Sequence, residues 1–201
     1  LLVYGHPTSN VDGLDGYFGQ LMSHLPELVR ILHVDCPISR ARELDGDNRT
    51  TSLHAWGDPL STWRLILAHW RPSREHRQGE YGWLVRRAAV HERGTAQAAA
   101  IAWQLHCQER WLTKAKPKAV SWPWENHSWE RSFVRTAQKL GVKTFGYQHT
   151  PFGRQDFGWS PAGNVDGFET IPGTIICTGP APLNTLRSLG YPDSRLTLGG
   201  S

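Results

Sequence analysis

The chain has 201 residues, 39% of them apolar, and a formal charge of +4, enough for one sizeable domain with its own core. No apolar run approaches the roughly 18 residues of a membrane span and no signal-peptide pattern is recognisable, so a cytoplasmic protein is expected, reaching at most the inner face of a membrane. The charge excess is too mild for a nucleic-acid footprint.

Strand-like runs are LLVYG (1–5), VRILHVDC (29–36), KAVSW (118–122), VKTFGYQ (142–148), TIICTG (174–179) and RLTLG (195–199). Because the first run opens on Leu1 and the last leads into a loop, a piece of a longer polypeptide is expected. Residues 16–25 predict a first helix. Just before it, GLDGYFG (13–19) spaces three glycines as GxxGxxG, about eight residues too late after the first strand for a dinucleotide fingerprint. Such glycines let a loop approach a ligand or another stretch of backbone closely. Residues 37–58 are polar and aperiodic and read as a long connection or mobile flap.

Residues 59–70 place apolar side chains at helical spacing. Arg71, Arg74, Arg77, Arg86, Arg87 and Arg93 then fall in one polar stretch, read either as a solvated helical surface or as a phosphate-binding face. The tract from Trp70 to Arg93 could also meet anionic lipid head groups. From Gly94 to Lys114 runs the longest predicted helix, with Ala100, Trp103, Cys107 and Trp111 on one stripe. Cys36, Cys107 and Cys177 are far apart and sit in apolar runs, which predicts buried, reduced thiols. The ten tryptophans suit a core, with sugar or partner contacts as the alternative.

The best-punctuated unit is AVSWPWENHSWERSFVRTAQKLGVKTFGYQHT (119–150). Trp129, Phe133, Ala137 and Leu140 define one helical face. Asn126 or Ser128 is a candidate N-cap, Glu130 suits the first turn, and Lys139 followed by Gly141 marks the end. Strand, capped helix and strand make a βαβ unit with parallel strands. The rhythm repeats over 174–199, where Pro180 and Pro182 open a helix that closes near Gly190; its N-terminus would favour an anion, though a plain helix start is the simpler reading. The fold class expected is α/β, a Rossmann-like, doubly wound parallel sheet. Residues 151–172, rich in Gly, Pro and aromatics, read as a second long loop.

Parallel strands present their carboxyl ends along one edge, where ligands of such sheets bind. Glu125 and His127 leave one strand, Gln148 and His149 the next, so the four should line one crevice. His6 and Gly179 join that edge if their strands are also parallel. Simpler readings stand beside these: Glu125 or Asn126 as helix caps, His127 as a surface residue, His149 as a brace for the loop before Pro151. No HxH, HExxH or Cys/His pairing is present, so no metal is expected.

The run WPWENHSWERSFVRTAQKLGVKTFGYQHTPFG (122–153) resembles a signature of bacterial surface-carbohydrate glycosyltransferases of the GT-B type, a group of capsule and lipopolysaccharide enzymes some of which are similar to Kdo transferases. The segment IICTGPAPLNTLRSLGYPDSRLTLGGS (175–201) is similar to a passage such enzymes carry near their domain crossover. The resemblance covers about residues 118–200 and is faint before that. It implies two facing Rossmann-like domains, with residues 1–179 as the N-terminal, acceptor-side domain and 180–201 as the crossover toward a missing donor domain, so that the fragment alone would not catalyse transfer.

On this resemblance the partners are a glycan acceptor and a nucleotide-sugar donor, a CMP-linked sugar being one candidate, with no further cofactor and with peripheral membrane association as an option. The resemblance assigns catalysis to Glu125, as acid/base or acceptor-orienting carboxylate, with His127 and His149 handling protons. The candidates for substrate binding are Asn126, Gln148 and Trp124 within the resembling run, His6 and Gly179 on the shared edge, and Arg154, in the loop after His149, for a phosphate or carboxylate. Burial near Trp122, Trp124 and Trp129 is expected to shift Glu125 toward neutrality. The rival is a non-catalytic α/β module that binds a sugar or nucleotide. An α/β hydrolase ranks below both, for want of a GxSxG elbow.

Overall fold

The computed structural model describes residues 1–66, 72–93, 95–153, 157–160 and 166–199. Among these, every strand pairing between named strands is parallel. Strands β1 (Leu2–Val3), β2 (Arg30–Leu32) and β3 (Thr50–Ser52) form one ladder in the order β1-β2-β3. Strands β4 (Ala119–Pro123), β5 (Lys143–Gln148), β6 (Thr174–Cys177) and β7 (Leu196–Leu198) form a second, in chain order. Cα atoms of β1 and β4 approach within 8 Å, so the ladders adjoin as β3-β2-β1-β4-β5-β6-β7. The direction of winding reverses between β1 and β4, the place where α/β sheets open a ligand crevice.

Alternation along β1 and β2 shows why both faces are covered. Leu1, Val3 and Leu32 pack with Met22, Cys36 and Leu44 on one side, where the short helices α1 (Leu21–His24) and α2 (Ile38–Leu44) lie. Leu2 and Ile31 join Cys107, Trp111, Trp122 and Phe133 on the other, under α6 (Ala96–Ala115) and α7 (Ser128–Lys139). A strand buried on both faces reads as a continuous apolar run, and LLV does so, whereas RIL opens on the buried Arg30. The α/β, Rossmann-like class is therefore the fold observed.

Several boundaries differ from the sequence expectation. The first helix is one turn, Leu21–His24, rather than 16–25. Residues 37–58 are not a flap: they hold α2, β3 and a 3-10 turn over Leu53–Trp56. Asn48, at φ 56°, turns the chain, and the Thr50–Thr51 pair then supplies β-branched residues that suit a strand. Between 59 and 93 lie α3 (Thr62–Ile66), α4 (Arg74–Gln78) and α5 (Gly82–Glu92). Residues 67–70 of the helix expected over 59–70, including Trp70, lie outside the described residues, as do Arg71 and Gly94.

In α6 the buried face is Gln104, Cys107, Gln108, Trp111 and Leu112, and Ala100 of the expected stripe is exposed. In α7 Phe133 and Ala137 are buried as expected, but Val134 completes the face and Leu140, just beyond the helix, is exposed. Gly141 ends this helix at φ 70°, a left-handed conformation that costs glycine least. Over residues 180–201 the described residues hold α8 (Pro180–Ser188) and β7, which pairs with β6. All three cysteines are free and buried, and burial raises each thiol, Cys107 to about 11.

Candidate functional site

The crevice is built where β4 ends. Pro123 lies opposite Tyr147 in the parallel register, and the Trp124 N–H still donates to the Tyr147 carbonyl at 2.8 Å. Gly146 permits this approach, since a β-carbon there would stand 2.6 Å from Pro172 Cγ and 2.9 Å from Trp124 Cβ. The chain then turns sharply, with Asn126 at φ 60°. Neither Asn126 nor Ser128 is the cap of α7: His127 occupies that position.

The turn is held from inside by Glu130, 1% exposed. Its Oε1 accepts from Trp122 Nε1 at 3.0 Å and from the Glu125 N–H at 3.1 Å, and its Oε2 accepts from the His127 N–H. An acid three residues past the cap that accepts the cap N–H is half of a capping box. Burial pushes the Glu130 carboxyl up to about 8, against the opposite pull of these three donors. The sequence shows Glu130 as an acid suited to the first turn; its burial is what the structure adds. Glu130 is the group that fixes how Glu125 and His127 are presented.

Glu125 itself, about one-third exposed, sits between two imidazoles. His127 Nε2 meets its Oε2 at 2.8 Å, and His149 Nε2 lies 3.5 Å from its Oε1. Thr150 Oγ1 donates to Oε1 at 2.8 Å. Partial burial acts to raise Glu125, but the Thr150 and His127 hydrogen bonds and the two histidines outweigh it and hold the carboxyl below its ordinary value. The expected shift toward neutrality is thus corrected. It falls on Glu130, which lacks the histidines and the solvent.

Rings from the other half of the sheet complete the crevice. Tyr17, on the loop after β1, packs edge-on against His149 at 5.3 Å and against His6 at 5.4 Å. Phe18 lies 5.5 Å from Tyr147. At the end of β2, His33 sits between Tyr4, at 4.8 Å, and Trp129, at 4.9 Å. The carboxyl ends of β1, β2, β4 and β5 therefore converge at the reversal point of the sheet. Tyr17 and Thr150 were not singled out in the sequence, because what places Tyr17 is a clamp between distant segments.

That clamp is Arg30, fully buried in β2. Its guanidinium donates to Thr50 Oγ1, to the Leu14 carbonyl and to the Asn10 carbonyl, and lies 3.6 Å from Asp15 Oδ2. Asp15 Oδ1 in turn accepts the N–H groups of Tyr17 and Phe18. Arg40 holds the same loop by donating to the carbonyls of His6, Pro7 and Ser9. Gly13 and Gly19 adopt positive φ, and Gly16 lies against the His6 ring, so the glycine-spaced loop is there for close approach.

The other residues assigned to the site are placed as follows. His6 is half-buried, accepts the Thr8 N–H and reaches Glu125 only through Tyr17 and His149. Gln148 is buried and braces the bend, donating to the Thr150 carbonyl and accepting from Thr178 Oγ1 at 3.4 Å. Asn126 ties down the neighbouring loop through Nδ2, which donates to the Gly158 carbonyl at 2.7 Å. Trp124 is corrected from substrate contact to core: it is 1% exposed and packs edge-on against Trp159 and Tyr191. Trp122 is equally buried, which leaves Trp129 as the partly open indole of the three. Gly179 is the N-cap of α8, next to Thr178, with open space where a β-carbon would be. Arg154 lies outside the described residues.

Among the described residues no group of three or more His, Cys, Asp or Glu is arranged to hold a metal ion, and no helix is long and apolar enough to cross a membrane. Comparison of the chain with protein-family models, with curated proteins and with solved structures yields no match.

Proposed function

We propose that the Glu125 crevice is the acceptor site of a glycosyltransferase that moves a sugar from a nucleotide-sugar donor to a hydroxyl of a surface polysaccharide or lipid-linked glycan, on the cytoplasmic side of the membrane. The observation that carries this reading is the contact of Glu125 Oε2 with His127 Nε2 at 2.8 Å, at the carboxyl edge where the sheet reverses its winding. A carboxylate held below its ordinary value is a weak base, but it orients an imidazole and stabilises the imidazolium that forms. Glu125 is thus the orienting carboxylate, and His127, about half exposed, takes the proton.

As the acceptor oxygen bonds to the anomeric carbon, the bond from that carbon to the donor phosphate oxygen breaks. The phosphate leaves with the electron pair, and the hydroxyl proton passes to His127 Nδ1. Tyr17, Tyr147 and Trp129 supply flat apolar faces that suit the C–H surface of a sugar ring.

The test is a transfer assay with the full-length protein, using UDP-, GDP- and CMP-linked sugars against lipid-linked and soluble glycans. Glu125→Gln and His127→Gln should each lower transfer by about a hundredfold or more without moving the thermal midpoint. A fully active Glu125→Gln protein overturns the reading. Glycan binding without transfer from any donor overturns it as well, in favour of a non-catalytic binding module.

A further inference from the structure

Helix α5 is built the wrong way round for a solvated surface helix. The side it turns inward is small: Gly82, Val85, Ala88 and Ala89 are its less exposed positions. Its large apolar side chains face out, with Trp83 59%, Leu84 49% and Val90 74% exposed, and Tyr81 at its start is 64% exposed. Trp83, Arg87 and Val90 recur at i, i+4 and i+7 and share one outward stripe, flanked by Arg86 and His91. An ordinary surface helix puts its apolar stripe on the core and its charges outside. Here cations and apolar groups share the exposed face.

A second feature adjoins it. Helix α4 packs against α5 so closely that a β-carbon on Gly82 would stand 2.2 Å from the Arg77 carbonyl oxygen. The Arg86 guanidinium donates to that same carbonyl. Arg74, Arg77, Gln78 and Arg86 thereby line an open cradle of about 360 Å³. Guanidinium groups gathered in this way suit phosphate, which they meet through paired N–H groups.

We infer that the outward stripe of α5, together with the arginine cradle it shares with α4, docks on an anionic phospholipid surface. Three physical points select this occupant. A nucleic-acid backbone or free phosphate would engage the arginines but leave Trp83, Leu84 and Val90 in water. Indole and phenol rings beside arginines fit the head-group layer, where one end of a side chain is apolar and the other wet. And α5 spans 11 residues, so it lies along the interface rather than through it. The surface is separate from the Glu125 crevice and stands whatever that crevice does.

The experiment is co-sedimentation of the full chain with vesicles of phosphatidylcholine alone or mixed with phosphatidylglycerol, at low and high salt. The wild type should sediment with the mixed vesicles only, and less so at high salt. Arg87→Gln should weaken partitioning about fivefold, the value of one arginine near an anionic surface, while Arg87→Lys restores it. Trp83→Ser with Val90→Ser should weaken it at least as much. All three positions are exposed, so circular dichroism should show an unchanged fold, and Lys139→Gln on α7 is the control that should bind as wild type. Equal binding to neutral vesicles, no binding at all, or binding indifferent to the stripe variants overturns the inference. So does saturation of the cradle by inorganic phosphate in a protein that leaves mixed vesicles in the supernatant.

Discussion

Gly16 lies flat against the imidazole of His6: a β-carbon on residue 16 would stand 2.3 Å from both Cγ and Nδ1 of that ring. Real contacts are never so short, so Gly16→Ala must push the ring or the loop aside. The ring also meets Tyr17 edge-on, and Tyr17 meets His149 in the same way. A displacement of His6 therefore travels to the crevice through two aromatic contacts. Gly16→Ala should destabilise the protein by about 1–3 kcal/mol, the range for overpacking, and should shift the NMR resonances of His149. Unchanged His149 resonances in a destabilised variant would mean that the loop yields without moving Tyr17.

The Arg30–Asp15 pair decides whether that loop exists in its observed form. Both side chains are fully buried at 3.6 Å. Asp15→Ala leaves the guanidinium with three neutral acceptors and no counter-charge, and breaking such a pair costs about 3–5 kcal/mol. Arg30→Met removes one buried charge together with its donors, and should leave Asp15 without its counter-charge and the Asn10 and Leu14 carbonyls without this donor. Denaturant unfolding should find both variants strongly destabilised. The double replacement Asp15→Ala with Arg30→Met should cost less than the sum of the two, because it leaves no charge stranded. Strict additivity would show that the two groups act separately.

What was legible in the sequence was the part set by local rules. The β4–α7–β5 unit could be read because Val120 and Trp122 alternate, Phe133 and Ala137 repeat at helical spacing, and Gly141 stops the helix. The meeting of Glu125 with His149 followed from the shared edge of parallel strands, without any side-chain detail. What could not be read depends on long-range contacts. Strand β3 is three residues, Thr50–Ser52, with no apolar alternation to announce it. Its place is set by pairing with β2 and by the Arg30 hydrogen bond to Thr50. The resemblance assigns Trp124 to substrate binding, yet its neighbours Trp159 and Tyr191 come from later segments that no local pattern connects to it. Tyr17 needed the Arg30 clamp to be known first. Glu130 is legible as an acid suited to the first turn of α7, whereas its burial follows from its packing with Trp122.

Two buried titratable side chains give the protein an unusual pH profile. Burial lowers the His33 imidazole to about 4 from its ordinary 6.5, against the opposing pull of Asp35. Between those values the folded state lacks a proton that the unfolded chain holds, so this contribution is complete above 6.5 and is lost as pH falls toward 4. Glu130 works the other way, with its carboxyl raised from 4.5 to about 8. Its protonated form keeps enough lone pairs for all three donors. The stability it contributes is therefore complete below 4.5 and lost as pH rises toward 8. Burial also lowers the Leu1 amino group from 8.0 to about 6, which would add a rise above pH 6, so the test uses N-terminally acetylated protein. There the two slopes oppose each other between 4.5 and 6.5, and only Glu130 acts from 6.5 to 8. Unfolding free energy should be flat over the first range and fall over the second, by at most about 1.4 kcal/mol per pH unit. His33→Phe, which keeps a ring between Tyr4 and Trp129, should extend the falling slope down to 4.5. Glu130→Gln should abolish the fall above 6.5 and expose the His33 rise below it, while losing the bond to the His127 N–H at a cost of about 1–3 kcal/mol. Chemical denaturation of the three proteins at pH 5, 6.5 and 8 measures both slopes. A wild-type curve that stays flat from 6.5 to 8 would mean that the three donors keep Glu130 ionised throughout.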